Sequence, residues 1–135
     1  MRSTAPLLFA LALCAACDRS RATEKTEALV SRALTGVLAF PQSTPVEVSA
    51  GDEAAQFVLT APASVAEIRA WYRSVLPSNG WTLKGDGQGR DGTVSMYAEQ
   101  EGRPLWITLR PNVGAPGTTY TLIGAFTLSD STKTK

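Results

Sequence analysis

The sequence contains no histidine among its 135 residues. Chemistry that depends on imidazole is therefore excluded, which removes histidine-containing catalytic triads, histidine general bases and histidine-ligated zinc sites. Neither sign of charge dominates, because 13 lysines and arginines face 12 aspartates and glutamates. Since a nucleic-acid-binding surface normally shows a marked basic excess, we expect no nucleic acid partner.

Cysteine is nearly absent as well, and both copies lie close to the N-terminus. Cys14 and Cys17 end a stretch that begins with a basic residue and continues through an almost uniformly apolar segment, residues 5–13. A basic start, a short apolar core and small residues are typical of a secretory signal peptide. A membrane-spanning helix requires about 20 apolar residues, and this apolar segment is too short to be one. We therefore expect residues 1–16 to be a cleaved signal peptide.

The residues around Cys17 resemble the lipobox of bacterial lipoprotein signal peptides. Ala15, Ala16 and Cys17 match its last three positions, whereas Cys14 stands where the lipobox usually has leucine. The resemblance implies that Cys17 is diacylglycerylated on its sulfur, becomes the new N-terminus and, in many bacteria, is N-acylated, for example with palmitate. Three acyl chains anchor a protein firmly, since each buried CH₂ contributes about 0.8 kcal/mol. The alternative is an ordinary cleavable signal in which the cysteines carry no lipid.

This resemblance also predicts a location. Asp18 follows the modified cysteine, and in enterobacterial lipoproteins an aspartate there resembles a signal for retention in the inner membrane. We therefore expect a lipid-anchored protein of the bacterial cell envelope, with the periplasmic face of the inner membrane favoured over the outer membrane. Residues 17–23 are polar and are predicted to form an extended, lipidated tether.

Residues 24–39 are predicted to form an amphipathic helix. Apolar side chains recur on one helical face: Leu29, Val30, Ala33, Leu34, Val37 and Leu38. Such a face can pack on the protein's own domain or bind a membrane or partner. The polar face carries too few basic residues for a typical membrane-surface helix, which favours packing on the domain.

Residues 41–128 are predicted to form one α+β domain, and the polar residues 129–135 a disordered tail. Segments of alternating polarity predict about six short strands, with one helix after the second, in the order β-β-α-β-β-β-β. Ser64 begins the helix, and Glu67 three residues later completes a capping box. The strands are expected to pair as an antiparallel sheet, with this helix on one face.

The register of the central hairpin can be predicted from a two-residue turn at Glu101 and Gly102. It places three apolar pairs on one face of the sheet: Val94 with Leu109, Met96 with Ile107 and Ala98 with Leu105. The opposite face then carries Tyr97 beside Trp106. A slip of one residue would mix the two faces, so this register is the self-consistent one.

The domain helix and the strand after it carry a further resemblance. The residues Trp71-Tyr72-Arg73, Leu76-Pro77 and Gly80-Trp81 are similar to a motif of small uncharacterised domains in bacterial envelope lipoproteins. In those domains an aromatic-tyrosine helix and a leucine precede a glycine-tryptophan entry into a strand. The resemblance spans residues 41–126 and implies shared packing, with no particular activity.

A candidate binding face lies on the sheet opposite the domain helix. This face consists of two aromatic side chains, two polar or charged ones and one aliphatic one: Tyr97, Trp106, Thr108, Arg110 and Ile123. Aromatic rings on a sheet can form a platform for a ligand, and an arginine can hold an anion. The competing interpretation is that the N-terminal helix covers these residues as a second small core.

Two glycine-rich stretches are predicted to be loops. Residues 85–92 contain four glycines and two aspartates, but lack the ligand spacing of a calcium loop and the lysine of a phosphate-binding loop. We therefore expect a hairpin connection and no metal site there. Residues 111–117 are predicted to form a second loop, and we expect both loops to lie at the same sheet end, where they can contact a partner. Arg69 and Arg73 are expected on a solvated helix face, with an anion site as the alternative.

Catalytic residues are hard to find in this sequence. The processed chain has no histidine or free thiol, its carboxylates are scattered, and no serine lies in a G-x-S-x-G setting. We expect no enzymatic activity and no cofactor. The favoured function is a binding or accessory module for an envelope protein or a cell-surface ligand. The alternatives are a structural tether that assists envelope assembly, or a lipid- or glycan-binding domain that uses the aromatic sheet face.

Overall fold

A computed structural model of the protein describes residues 16–125. It contains two helices and six strands: α1 (Ala16–Ala33), β1 (Thr44–Ala50), β2 (Ala54–Ala61), α2 (Val65–Ser78), β3 (Thr82–Gln88), β4 (Val94–Gln100), β5 (Arg103–Pro111) and β6 (Thr118–Ala125). The strands form one antiparallel sheet in the order β1-β2-β6-β5-β4-β3. The predicted α+β class and the β-β-α-β-β-β-β order are confirmed. All but the last residue of the predicted signal peptide, and the whole predicted tail, lie outside the described residues.

The predicted register of the β4–β5 hairpin is also confirmed. Tyr97 pairs with Trp106, and the three apolar pairs fall opposite each other as expected. Glu101 and Gly102 both have positive φ, at 49° and 76°, as the two central residues of a tight hairpin turn require. Strand β6 continues the alternation, because Ile123 lies opposite Trp106 on the neighbouring strand β5.

Both helices pack on the same face of the sheet. Helix α2 contacts β3, β4 and β5, whereas α1 contacts β1, β2 and β6. Helix α1 approaches closely at Gly124, where an added Cβ would lie 2.4 Å from the carbonyl oxygen of Ala33. Gly124 lies on the core face, together with Tyr120 and Leu122. The interpretation that α1 covers Tyr97 and Trp106 is therefore wrong, because α1 lies on the other side of the sheet.

Helix α1 differs in its bounds from the predicted helix over residues 24–39. It begins earlier, so residues 17–23 are helical rather than extended, and the arginines and the alanine in this region are good helix formers. It ends earlier because Gly36 adopts a φ of 76°, which a continuing helix cannot accommodate. Leu34 is buried in the core, whereas Leu38 lies beyond the helix and is 47% exposed.

The segment that connects α1 to β1, residues 34–43, is held by polar atoms of buried aromatic side chains. The Trp81 indole donates to the carbonyl of Gly36 at 3.2 Å, and the Tyr72 hydroxyl donates to that of Leu38 at 2.9 Å. Ser43 and Tyr120 share a hydrogen bond of 2.6 Å. These bonds use the polar ends of side chains whose rings fill the core, as is usual for buried tyrosine and tryptophan.

The motif of the domain helix has a packing role in the structure. Tyr72, Leu76 and Trp81 are all buried. Gly80, with a φ of 81°, turns the chain so that the Trp81 amide can donate to the carbonyl of Leu76 at 3.0 Å. Pro77 lies inside the last turn of α2, and the helix ends after Ser78.

Strand β3 extends into the glycine-rich stretch that was predicted to be a loop. The strand continues to Gln88 because a bulge between Leu83 and Gly85 lets the following residues pair with β4. The bulge also moves Asp86 to the helix side of the sheet, where it pairs with Met96 of the core face. Only residues 89–93 are left to connect β3 to β4.

Candidate functional site

The beginning of α2 is fixed by the predicted capping box. The Ser64 hydroxyl accepts from the amide of Glu67 at 3.2 Å, and the Glu67 carboxylate accepts from the amide of Ser64 at 2.8 Å. The hydrogen bond from the Ser64 amide, and then that from its hydroxyl, hold the pKa of Glu67 below its ordinary value. The cap positions the first turns of α2 at the sheet end where β2 finishes.

A cleft of about 610 Å³ opens at this end of the domain. Five of its lining residues come from the N-cap and the first nine residues of α2: Ser64, Val65, Ala66, Arg69 and Arg73. The opposite wall comes from the strands and the loops after β3 and β5: Gln88, Gly92, Val94, Pro111, Asn112, Ala115, Gly117 and Thr118. The two predicted glycine-rich loops therefore meet at the same sheet end, and together with α2 they line an open depression that we call the α2 cleft.

The loop wall of the α2 cleft is shaped by close backbone contacts. The backbone amide of Asn112 donates to the carbonyl of Gly117 at 3.0 Å, and its side-chain nitrogen donates to the carbonyl of Pro116 at 3.2 Å. Its side-chain oxygen accepts from the Thr119 hydroxyl at 2.7 Å. Gly117 has a φ of 99°, and an added Cβ would lie 2.5 Å from the carbonyl oxygen of Ala61. The loop is thereby held against the end of β2.

The helix wall carries a cluster of two cations and one anion. Arg69 Nε donates to Asp86 Oδ1 at 2.8 Å, Arg73 Nε donates to Asp86 Oδ2, and Arg69 Nη1 donates to Gln88 at 3.3 Å. Two arginines four residues apart on a helix repel each other, and the carboxylate between them offsets that repulsion. The prediction of a solvated helix face is wrong for Arg69, whose side chain is only 20% exposed, whereas the side chain of Arg73 is 52% exposed; β3 brings Asp86 between the two.

Comparison with known families identifies this domain. A family model described as START domain-like matches residues 41–121, more than half of the chain. The chain belongs to the START domain-like family. Comparisons with curated proteins and with solved structures found no match. START-like domains are generally ligand-binding modules rather than catalysts.

The α2 cleft lies inside the matched part of the START-like domain. All of its lining residues fall between residues 41 and 121, as does the whole of α2. Helix α1 precedes the match and contributes no residue to the cleft.

The START-like domain also presents the predicted aromatic face. Tyr97 and Trp106 contact each other, with ring centroids 5.4 Å apart, and Trp106 is 42% exposed. Thr108 and Arg110 follow on β5, and Ile123 pairs with Trp106 from β6. The structure therefore brings all five predicted residues onto one sheet face, which neither α1 nor α2 covers.

Tyr97 has a specific partner on this face. Its hydroxyl donates to Glu99 at 2.7 Å. That hydrogen bond, followed by desolvation and by the charge of Glu99, raises the pKa of Tyr97 above its ordinary value. The tyrosine is thus held in its neutral form with its hydroxyl directed along its own strand.

Sequence reasoning missed the α2 cleft and found its parts separately. It identified the cap, the two loops and the two arginines, but not the carboxylate that joins the arginines.

Within residues 16–125, no group of three or more metal-ligating side chains is close enough to hold a metal ion. In the same part of the chain, no helix has the length and apolar character needed to cross a membrane.

Proposed function

We propose that the protein is a non-catalytic ligand-binding module, carried on a lipid anchor at Cys17 in a bacterial cell envelope, and that the α2 cleft is its ligand site. The observation that carries this proposal is the cleft itself. Its volume of about 610 Å³ lies within the range of about 300–1,000 Å³ typical of small-molecule sites. Its position inside a START-like domain supports a ligand as the occupant.

The lining of the α2 cleft supports binding rather than catalysis. It includes no carboxylate and no thiol, and the sequence has no histidine to supply a general base. The one lining serine, Ser64, already accepts the capping hydrogen bond from Glu67. The two arginines can bind a negatively charged group, but they stay protonated near neutral pH and so cannot act as general bases.

The proposed anchor is separated from the domain by α1. An α-helix rises about 1.5 Å per residue, so Cys17 lies about 20 Å along the helix axis from Val30, a residue of α1 that is buried in the core. A lipid on Cys17 would thus hold the domain near the membrane surface with α1 as a spacer. The aspartate at position 18 favours the periplasmic face of the inner membrane.

Native mass spectrometry of the protein released from bacterial envelopes tests the ligand site. Ala66→Trp places a large side chain in the α2 cleft, whereas Ala70→Trp adds the same side chain one turn further along α2, at an exposed position outside the lining. We expect a bound small molecule on the wild type and on Ala70→Trp, and none on Ala66→Trp. Equal occupancy of all three proteins, or of none, would refute the proposal.

A second candidate function uses the aromatic face. The observation in its favour is that Trp106 is 42% exposed beside Tyr97 on a sheet face covered by neither helix. An envelope protein, or a glycan stacked on these rings, fits such a surface. The two candidates occupy opposite sides of the domain, so variants on one side leave the other intact.

A further inference from the structure

Strand β1 lies at one edge of the sheet and keeps free backbone groups there. Within residues 16–125 it pairs with β2 alone. The Gly51 amide donates to the carbonyl of Ala54, so Gly51 directs its backbone groups towards β2. Because these directions alternate along an antiparallel strand, Ala50 and Val48 direct both their amide and their carbonyl away from β2. These backbone groups can therefore pair with another strand at this edge.

The opposite edge of the sheet, strand β3, is less suited to strand addition. A bulge lies between Leu83 and Gly85, and the Asp86 carboxylate points inwards to the two arginines of α2. Bulges and inward-pointing charges are devices that protect a sheet edge. Strand β1 has its bulge and its proline only near its beginning, at Pro45, and residues 47–50 after them pair regularly with β2. The β1 edge is thus the more accessible one.

Helix α1 extends past the β1 edge. Ala33 lies against Gly124 of β6, whereas Ala22 lines a groove together with Val48 of β1. Since β2 separates β6 from β1, the helix crosses about four to five residues' length per strand, and a strand added beside β1 would lie beneath residues 17–21. These residues extend about 7.5 Å past Ala22, which exceeds the spacing of about 4.8 Å between neighbouring strands. We call residues 17–21 the α1 overhang.

The groove between α1 and β1 has a volume of about 250 Å³. It is lined by four helix residues and one strand residue: Ala22, Thr23, Thr26, Glu27 and Val48. The hydroxyls of Thr23 and Thr26 donate to carbonyls of their own helix at 2.9 and 3.0 Å, which leaves their methyl groups for packing. Val48 is 38% exposed. The groove thus offers a small apolar surface beside the free backbone groups of β1.

Arg19 adds a positive charge to the α1 overhang. It shares a helical face with Val30 and Ala33, which are buried against the sheet. Arg19 itself is exposed, and no carboxylate of the described residues forms an ion pair with it. The one acid of the groove, Glu27, lies about 12 Å further along the helix axis. A strand beneath the overhang would therefore meet a cation that has no acidic partner within the chain.

We propose that the β1 edge binds an extended segment of another protein, which adds to the sheet beneath the α1 overhang. On the side that faces α1, this segment carries a carboxylate bound by Arg19 and an apolar side chain against Ala22 and Val48. A second copy of the chain fits less well, because its own α1 extends past its β1 and the two helices would compete for the same space. The site shares no residue with the α2 cleft, so the inference goes beyond the proposed ligand site.

Two peptide probes test this inference on the wild type. The glutamate probe is acetyl-Thr-Val-Thr-Glu-Thr-Val-Thr-amide with a neutral fluorophore, and the glutamine probe replaces its glutamate with glutamine. Fluorescence anisotropy gives the Kd of each on mature protein, purified in a neutral detergent from cells that express the full chain. We expect the glutamate probe to bind about 3–5-fold more tightly, as a partly exposed ion pair allows.

Matched variants of α1 locate the binding site. Arg19→Gln should remove the preference for the glutamate probe, whereas Arg21→Gln, at an exposed arginine on another face of α1, should keep it. Ala22→Trp places a large side chain in the groove and should weaken both probes at least about tenfold. Ala28→Trp, at an exposed position outside the groove lining, should leave both unchanged.

Val48→Pro tests the backbone pairing itself. Proline removes the amide of Val48, which points away from β2, so the pairing of β1 with β2 is kept and binding of both probes should be lost. Equal affinity of the two probes for the wild type, or a preference that survives Arg19→Gln, would refute the proposal. Binding unchanged in Val48→Pro and Ala22→Trp would also refute it, as would no binding at about 1 mM of either probe. A wild-type dimer that Val48→Pro converts to a monomer, measured by native mass spectrometry, would assign the edge to a second copy and overturn it.

Discussion

Tyr72 of α2 and Tyr120 of β6 hold the same stretch of chain through their hydroxyl groups. Tyr72 donates to the carbonyl of Leu38 at 2.9 Å, and Tyr120 accepts from the amide of Phe40 at 3.0 Å. Their rings lie 6.1 Å apart in the core. This pair joins the segment between α1 and β1 to the centre of the domain, so the position of α1 depends on two tyrosines far from it in sequence.

Removing one hydroxyl from this pair should destabilise the domain. Tyr72→Phe leaves the carbonyl of Leu38 without its donor, and an unsatisfied group of this kind costs about 1–3 kcal/mol. Urea unfolding followed by tryptophan fluorescence measures the change. Tyr97→Phe is the control, because the Tyr97 hydroxyl bonds to an exposed-face glutamate and its loss should cost less than 1 kcal/mol, roughly the value of a typical hydrogen bond. Equal losses in the two variants would contradict the role of Tyr72.

Stability should fall in alkaline solution because of Tyr72. Burial, then the charge of Tyr120 and a hydrogen bond with it, raise the pKa of Tyr72 far above its ordinary value of 10.0. The unfolded chain loses this proton above pH 10.0 while the folded chain keeps it, so stability is present below that pH and lost above it. The contribution of this group is about 1.4 kcal/mol per pH unit. Urea unfolding between about pH 9 and pH 11 should show a shallower decline in Tyr72→Phe than in the wild type; parallel declines would contradict the account.

The contact between α1 and the sheet predicts a strong effect at Gly124. In Gly124→Ala the new Cβ would meet the carbonyl oxygen of Ala33 at 2.4 Å and Leu34 at 2.9 Å. Overpacking of this kind costs about 1–3 kcal/mol, or separates α1 from β6. Gly87→Ala on β3 is the matched control, because its Cβ would meet nothing within 4 Å. Chemical denaturation of both variants tests the packing, and a Gly124 variant as stable as the control would place α1 elsewhere.

The aromatic face makes a prediction of its own for the second candidate function. Trp106→Ala should lower the free energy of unfolding by less than about 2 kcal/mol, since the side chain is 42% exposed. It should also abolish crosslinks to an envelope partner, measured by crosslinking in cells and mass spectrometry. Val113→Ala, at a residue that is 99% exposed on a loop, should leave them unchanged. Loss of stability with unchanged crosslinks would remove the aromatic face as a docking site.

The anchor can be tested by labelling in cells. Cys17→Ala should abolish the incorporation of labelled fatty acid and release the protein from membranes. Cys14→Ala should keep both, because position 14 is outside the acceptor site of the lipobox. Continued labelling of Cys17→Ala, or loss of labelling in Cys14→Ala alone, would refute the assignment of Cys17.

The features that sequence reasoning predicted correctly depend on residues close together in the chain. The capping box joins Ser64 to Glu67, and the hairpin register follows from the two-residue turn at Glu101 and Gly102. In both cases a short pattern determines which groups can meet. The alternation of apolar residues then determined which sheet face forms the core.

The features that it missed depend on tertiary contacts. The bulge in β3 reverses which side Asp86 faces, and only then can its carboxylate reach Arg69 and Arg73. The α2 cleft combines the beginning of one helix with two loops distant in sequence, and no local pattern encodes their approach. The side on which α1 packs likewise depends on the space that Gly124 leaves for the carbonyl of Ala33.

Photo-crosslinking in cells tests the central claim, ligand binding in the α2 cleft, most directly. A photoreactive amino acid replaces Ala115, which lines the cleft, or Val113, which is on the same loop and points into solvent. We predict that irradiation attaches a small molecule to position 115 and not to position 113, as read by intact-protein mass spectrometry. The same small-molecule adduct at both positions, or at neither, would contradict the account.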